Sequence, residues 1–191
     1  MTAERIGVLG GTFDPIHIAH LVAAVSVRHS LALDRVLLVV AGDPWQKEGT
    51  VVASAQDRLA MAQAAVEGLD GIEVSAIEVE RPGPTYTIDT LRALEGADRE
   101  LFLIVGADVA ARLDSWHRAD EVRAAATLVV VTRDGNGDAA SEPGVRCVPI
   151  PRLDVASHDL RARVARGEPI DVLVPPGAVR VIRERRLYTR S

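Results

Sequence analysis

Short β-branched apolar runs alternate with longer Ala/Leu-rich stretches along most of this chain, and few folds accommodate that rhythm. Residues 6–9, 36–40, 72–77, 101–105, 128–132 and 145–150 read as strands. Several are apolar almost throughout, as expected for a parallel sheet covered on both faces. Residues 18–30, 54–67, 87–94 and 118–125 read as helices between them. Ser54 is placed to cap the second helix, with Asp57 in its first turn. The βαβα order predicts an open α/β sheet with right-handed crossovers. From Asp154 onward two helices are expected, 157–165 and 176–184, the second after the Pro175-Pro176 break. The expectation is one domain spanning 1–191, with an α/β core over 1–153 and a helical C-terminal subdomain over 154–191. Residues 135–144, rich in Gly, Asp and Ser, read as a surface loop.

Composition narrows the function. A net charge of -5 and no Lys/Arg block argue against a nucleic-acid partner. No run approaches the roughly 18 apolar residues of a bilayer span, and residues 1–5 lack a secretory core, so no membrane partner and a cytoplasmic location are expected. Cys147 is the only cysteine; its apolar surroundings point to a buried thiol, and an intramolecular disulfide is impossible.

In open α/β sheets ligands bind beyond the carboxyl ends of the strands. The first such loop reads Gly10-Gly11-Thr12-Phe13-Asp14-Pro15-Ile16-His17-Ile18-Ala19-His20. Two glycines after a strand let main-chain N–H groups approach a ligand, although taken alone they also describe a simple turn. His17 and His20, three apart, share a face of the first helical turn; as a metal pair they lack an evident third ligand. With the helix dipole they favour a phosphate chain as guest. No Gly-x-x-x-x-Gly-Lys loop and no Gly-x-Gly-x-x-Gly fingerprint is present.

This loop resembles the nucleotide-binding signature of the nucleotidyltransferase superfamily, with Ala19 where Gly is usual before the second histidine. The expected fold class is therefore α/β, a Rossmann-like open parallel sheet with flanking helices and a helical C-terminal extension. Further segments narrow the resemblance. They are Pro44-Trp45-Gln46-Lys47, then Gly83-Pro84-Thr85-Tyr86-Thr87-Ile88-Asp89-Thr90-Leu91, then Gly106-Ala107-Asp108 followed by Ser115-Trp116. In order and spacing they are similar to the bacterial nicotinate mononucleotide adenylyltransferase family, over nearly the whole chain. Only 3% of residues are aromatic, and both tryptophans fall in loops, where a ring can stack on a planar ligand; Trp116 can equally fill core. Thr87 reads as an N-cap. The late segment Val155-Ala156-Ser157-His158-Asp159-Leu160-Arg161 keeps the family's Ser and Arg, while Ala156 and His158 replace a Ser and a Thr.

The resemblance implies the roles. Gly10, Gly11, Thr12, Phe13, His17, His20, Gly106, Asp108, Ser157 and Arg161 fall to ATP, with Ser157 also as a helix N-cap and His158 as a substitute donor. Asp14, Trp45, Lys47, Thr85, Tyr86 and Trp116 fall to nicotinate mononucleotide. His17, His20, Lys47 and Arg161 are the expected catalytic residues. Mg²⁺ is expected to be bound mainly through ATP phosphates, without a protein metal site. The implied reaction is adenylyl transfer from ATP to nicotinate mononucleotide with release of pyrophosphate. Nicotinamide mononucleotide or phosphopantetheine as acceptor, or a silent nucleotide-binding regulator, are the alternatives, and a homo-oligomer stays open.

Overall fold

The computed structural model describes residues 2–43, 52–132 and 144–189. Six strands form one sheet: β1 (Glu4–Gly11), β2 (Arg35–Val40), β3 (Ile72–Ser75), β4 (Arg99–Gly106), β5 (Thr127–Thr132) and β6 (Val145–Pro149). Their order is β3-β2-β1-β4-β5-β6, with every neighbouring pair parallel. From β1 the chain first builds outward through β2 and β3. It then returns to lay β4 on the other side of β1. The reversal opens a crevice at the carboxyl ends of β1 and β4, where doubly wound sheets bind ligands. The expected α/β, Rossmann-like architecture is the one observed.

The two-residue side-chain period, with a covered layer on each face, explains why β2 and the middle of β4 read as apolar throughout. Val36, Leu38, Val40, Phe102 and Ile104 enter one buried cluster. Leu37, Val39, Leu101, Leu103 and Val105 enter another. The first cluster is roofed by α1 (Ile18–Ser30) and α2 (Ala55–Ala65), and the second by α3 (Thr87–Leu94) and α5 (Ala119–Ala125). The C-terminal helices α6 (Ser157–Ala165) and α7 (Pro176–Glu184) give Leu160, Ala178, Val179 and Ile182 to the first cluster. Among the described residues no helix is long and apolar enough to cross a membrane. Cys147 is half-buried on the outermost strand rather than enclosed.

Several local expectations change. Thr87 is the first residue of α3, and Tyr86 precedes it as the cap. The Tyr86 carbonyl accepts from Asp89 and Thr90, so the main chain makes the entry. Ser157 likewise lies inside α6, whose cap is Ala156. The stretch after β4 is a short helix, α4 (Ala107–Ala110), and a 3-10 turn (Leu113–Ser115). Elements of three or four residues are too short to show a period. Arg118 stands before α5 in the left-handed region, φ 58°. Residues 133–143, most of the expected surface loop, lie outside the described residues.

Ser54 does cap α2: its hydroxyl accepts from the Asp57 amide at 3.1 Å and donates to the Asp57 carboxylate at 2.6 Å. Arg185, just past α7, donates to the other Asp57 oxygen at 2.6 Å. The bond from Ser54 first, and that from Arg185 next, hold the Asp57 carboxyl below its ordinary value. A carboxyl whose pKa is depressed by folding stabilises the native state above its unfolded pKa. That contribution disappears as pH falls through the folded value. Urea midpoints are therefore expected to decline below about pH 4, and Asp57→Asn should flatten part of that acid limb. An unchanged acid slope in the variant would show that Asp57 does not couple α2 to the tail.

Candidate active site

A cleft of 1740 Å³ opens over the carboxyl ends of β1 and β4. It exceeds the roughly 300–1,000 Å³ usual for one small ligand and leaves room for two. Gly10, Gly11, Thr12, Phe13, Asp14, His17, His20, Thr85, Tyr86, Gly106, Asp108, Trp116, Ser157 and Arg161 all line it. Trp45 and Lys47 lie outside the described residues.

The two glycines end β1 instead of following it, paired in register with Val39 and Val40. A Cβ on Gly10 would meet nothing within 4 Å, so this strand end faces the open cleft. At Gly11 a Cβ would fall 2.7 Å from the Phe13 ring. Phe13 itself is buried, with φ 51° in the left-handed region, and its ring meets His20 edge-on at 5.0 Å. Its side chain therefore supports His20 from below.

His17 caps α1 and His20 sits one turn in, their rings stacked at 3.7 Å. The His17 amide donates to Nδ1 of His20 at 3.2 Å. With Nδ1 accepting, a neutral His20 ring carries its proton on Nε2, away from that bond. His17 is buried, whereas His20 is half-exposed on the cleft wall. The first α1 amide, Ile18 N–H, is already satisfied by the Leu173 carbonyl at 2.9 Å.

Asp14 also departs from expectation. Its carboxylate is buried and accepts from the Val52 amide at 2.8 Å, the Ala53 amide at 3.1 Å and the Tyr188 hydroxyl at 2.7 Å. With those bonds made inward, it fixes the loop and is not presented to a ligand. The Asp14 carbonyl accepts from Arg161 at 2.7 Å, and the Ser157 hydroxyl donates to the Pro15 carbonyl at 3.0 Å. The start of α6 is thus fastened onto the loop leaving β1. His158 is exposed beside Asp159, Nε2 to Oδ1 3.2 Å.

The opposite wall carries Thr85, Tyr86 and Trp116. Thr85 is buried and donates to the Asp43 carbonyl at 3.2 Å, tying this wall to the loop after β2. Trp116 is half-buried: it packs on the second cluster and also lines the cleft. The Tyr86 ring lies 4.4 Å from that of His117. Glu78 also lines this wall; burial pushes its carboxyl above the ordinary value, against the opposing bond from Thr90 at 2.6 Å. Asp108 is exposed at the mouth, its Oδ1 lying 2.8 Å from where a Gly106 Cβ would stand.

Sequence reasoning missed Arg58 and Tyr188. Arg58 is 1% exposed and donates to the carbonyls of Thr12 (2.8 Å), Ala41 (2.6 Å), Gly42 (3.0 Å) and Ala53 (3.3 Å). Burial lowers its pKa, opposed by nearby Asp14 and then Tyr188. The signal was present: Arg58 shares the buried stripe of α2 with Met61, Ala62 and Ala65, at helical spacing. Glu78 gave no such signal.

Residues 8–172 match the cytidylyltransferase-like family model. The chain is 43% identical over 194 residues to a probable nicotinate-nucleotide adenylyltransferase of Corynebacterium kroppenstedtii, covering 98% of this chain and 92% of that one. It is 45% identical over 185 residues to the protein of the same description from Streptomyces coelicolor, covering 94% and 98%. Among solved structures, Plasmodium falciparum nicotinic acid mononucleotide adenylyltransferase complexed with APC superposes with a TM-score of 0.78. It covers 97% of both chains at 17% identity, a likeness that speaks for the fold.

Proposed function

Since the chain belongs to the cytidylyltransferase-like family and, within it, to the nicotinate-nucleotide adenylyltransferases, we propose that it joins ATP to nicotinate mononucleotide in NAD biosynthesis. The products are nicotinic acid adenine dinucleotide and pyrophosphate. One observation carries the reading. A bare glycine strand end, a histidine-bearing helix tip and Arg161 face a wall of Thr85, Tyr86 and Trp116 across one cleft large enough for both substrates.

The nucleophile is a phosphate oxygen of the mononucleotide. It is ionised at neutral pH and needs no general base. It attacks the α-phosphorus of ATP; that P–O bond forms as the bond to the bridging α,β-oxygen breaks, and pyrophosphate departs with the electron pair. Positioning and charge stabilisation carry such a step. The main chain of Gly10 to Thr12, Nε2–H of His20 and the Arg161 guanidinium cradle the triphosphate, with His17 setting the His20 ring. Gly106 and Asp108 lie on the adenosine side, and Lys47 belongs by the family likeness near the reacting phosphates. ATP enters as its magnesium salt, the ion neutralising phosphate charge. The donor set would fit an ion held through phosphate oxygens: the Asp14 carboxylate is engaged inward, and among the described residues no three His, Cys, Asp or Glu side chains gather to hold a metal ion.

Pyrophosphate release with ATP and Mg²⁺ is expected to be fastest with nicotinate mononucleotide among that acceptor, nicotinamide mononucleotide and phosphopantetheine. Preference for either of the others would overturn the assignment. Trp116→Ala should raise KM for the mononucleotide about tenfold, the loss of roughly 1.4 kcal/mol of ring contact. KM for ATP should change less than about twofold. Equal losses for both substrates would place the ring in the wrong half of the cleft.

A further inference from the structure

Beneath the cleft floor lies a polar cluster whose guanidinium and phenol do not line the cleft. Arg58 heads the largest fully buried side chains of the described residues. Its four carbonyl partners belong to three separate segments: Thr12 after β1, Ala41 and Gly42 after β2, and Ala53 before α2. The same Ala53 donates its amide to Asp14, whose carboxylate also takes the Tyr188 hydroxyl at 2.7 Å. Tyr188, in the left-handed region at φ 63°, belongs to the turn after α7. Burial, and then the bond to Asp14, hold its phenol far above the ordinary value, so it remains a donor at any working pH.

A buried cation is a poor way to gain stability alone, since well-packed apolar side chains often serve as well. What a planar guanidinium adds is direction. Its N–H groups fix several acceptors at once, which a point-charge ammonium does not. The acceptors here are the main chains of the two strand-end loops. One approaches the triphosphate, and the other leads toward Trp45 and Lys47.

We propose that Arg58 and Tyr188 are positioning residues for adenylyl transfer: the buried Arg58–Asp14–Tyr188 cluster is a clamp through which the C-terminal turn fixes the loops after β1 and β2 relative to each other. Its catalytic part rests on the reading of function above. Neither residue touches substrate. Both act through main-chain placement, where small displacements lower turnover more than ground-state binding.

The test uses Tyr188→Phe, which removes one hydroxyl and keeps the ring, and Arg58→Lys, which keeps charge without the fork. Turnover is measured at 20 °C once a thermal scan has shown each variant folded at that temperature, and amide hydrogen exchange is followed over residues 12–18. Tyr188→Phe should lower kcat about five- to twentyfold with both KM values within about threefold of wild type. Exchange over 12–18 should quicken at least about fivefold while β5 is unaffected. Arg58→Lys, if it folds, should lose more turnover than Tyr188→Phe. A Tyr188→Phe protein with wild-type kcat and wild-type exchange over 12–18 overturns the clamp, whatever its melting temperature. If wild-type protein releases no pyrophosphate with nicotinate mononucleotide, the functional reading fails instead, and the exchange comparison still decides whether the clamp exists.

Discussion

Replacing His20 with alanine is expected to lower kcat by roughly 10²–10³, the scale for losing one preorganised donor to charge that develops in the transition state. The geometry places this donor with some care. Nδ1 is engaged by the His17 amide at 3.2 Å, the face stacks on His17 at 3.7 Å, and the Phe13 ring abuts the edge at 5.0 Å. The ring is thus held on three sides. Such a donor contributes little to ground-state binding, so KM for ATP should move by less than about fivefold. Because His20 is half-exposed, its truncation opens no large core cavity, and the variant should melt within a few degrees of wild type. A folded variant with near-normal turnover would remove His20 from the mechanism.

Gly177→Ala should lower the melting temperature by about 2–12 °C, against the usual direction for a helical glycine. In an exposed helix this change stabilises by roughly 0.4–1 kcal/mol. Gly177, however, stands in the first turn of α7 where that helix meets α2. An added Cβ would lie 1.9 Å from the Ala64 carbonyl oxygen and 2.6 Å from its carbon. Those are backbone atoms and cannot rotate away, so α7 must retreat from Met61, Ala62 and Ala65. Overpacking of this kind costs about 1–3 kcal/mol; for a chain of this size each kcal/mol corresponds to roughly 2–4 °C. A calorimetric midpoint equal to or above wild type would show that the two helices do not pack so closely.

How much of this was legible before any coordinates depends on which property of a residue is asked about. Element type follows from periodicity, and Ile18–Ser30, Thr87–Leu94, Ser157–Ala165 and Pro176–Glu184 have the bounds read from sequence. The central strands were legible because burial on both faces leaves runs such as Val36–Val40 and Leu101–Val105 apolar throughout. The convergence of the described strand-end loops on one cleft was legible too, since such loops meet wherever strand order reverses.

Side-chain direction was not legible. Asp14 sits in the most informative loop of the chain, yet its carboxylate is claimed by Val52, Ala53 and Tyr188, donors 38 to 174 positions away. Phe13 turns inward because Gly11 leaves room for its ring, a fit that no local pattern announces. Ser157 resembled a helix cap, but a hydroxyl with Pro15 in reach bonds across the site instead. Arg58 was readable in principle. A lone arginine on an otherwise apolar helical stripe must find buried acceptors, and it found them in the loops that build the site.

A crystal structure of the protein soaked with a non-hydrolysable ATP analogue tests the central claim most directly. The account predicts the triphosphate on the Gly10–Gly11 strand end, within hydrogen-bonding distance of His20 Nε2 and the Arg161 guanidinium. An analogue bound with its phosphates away from the carboxyl end of β1 would contradict it.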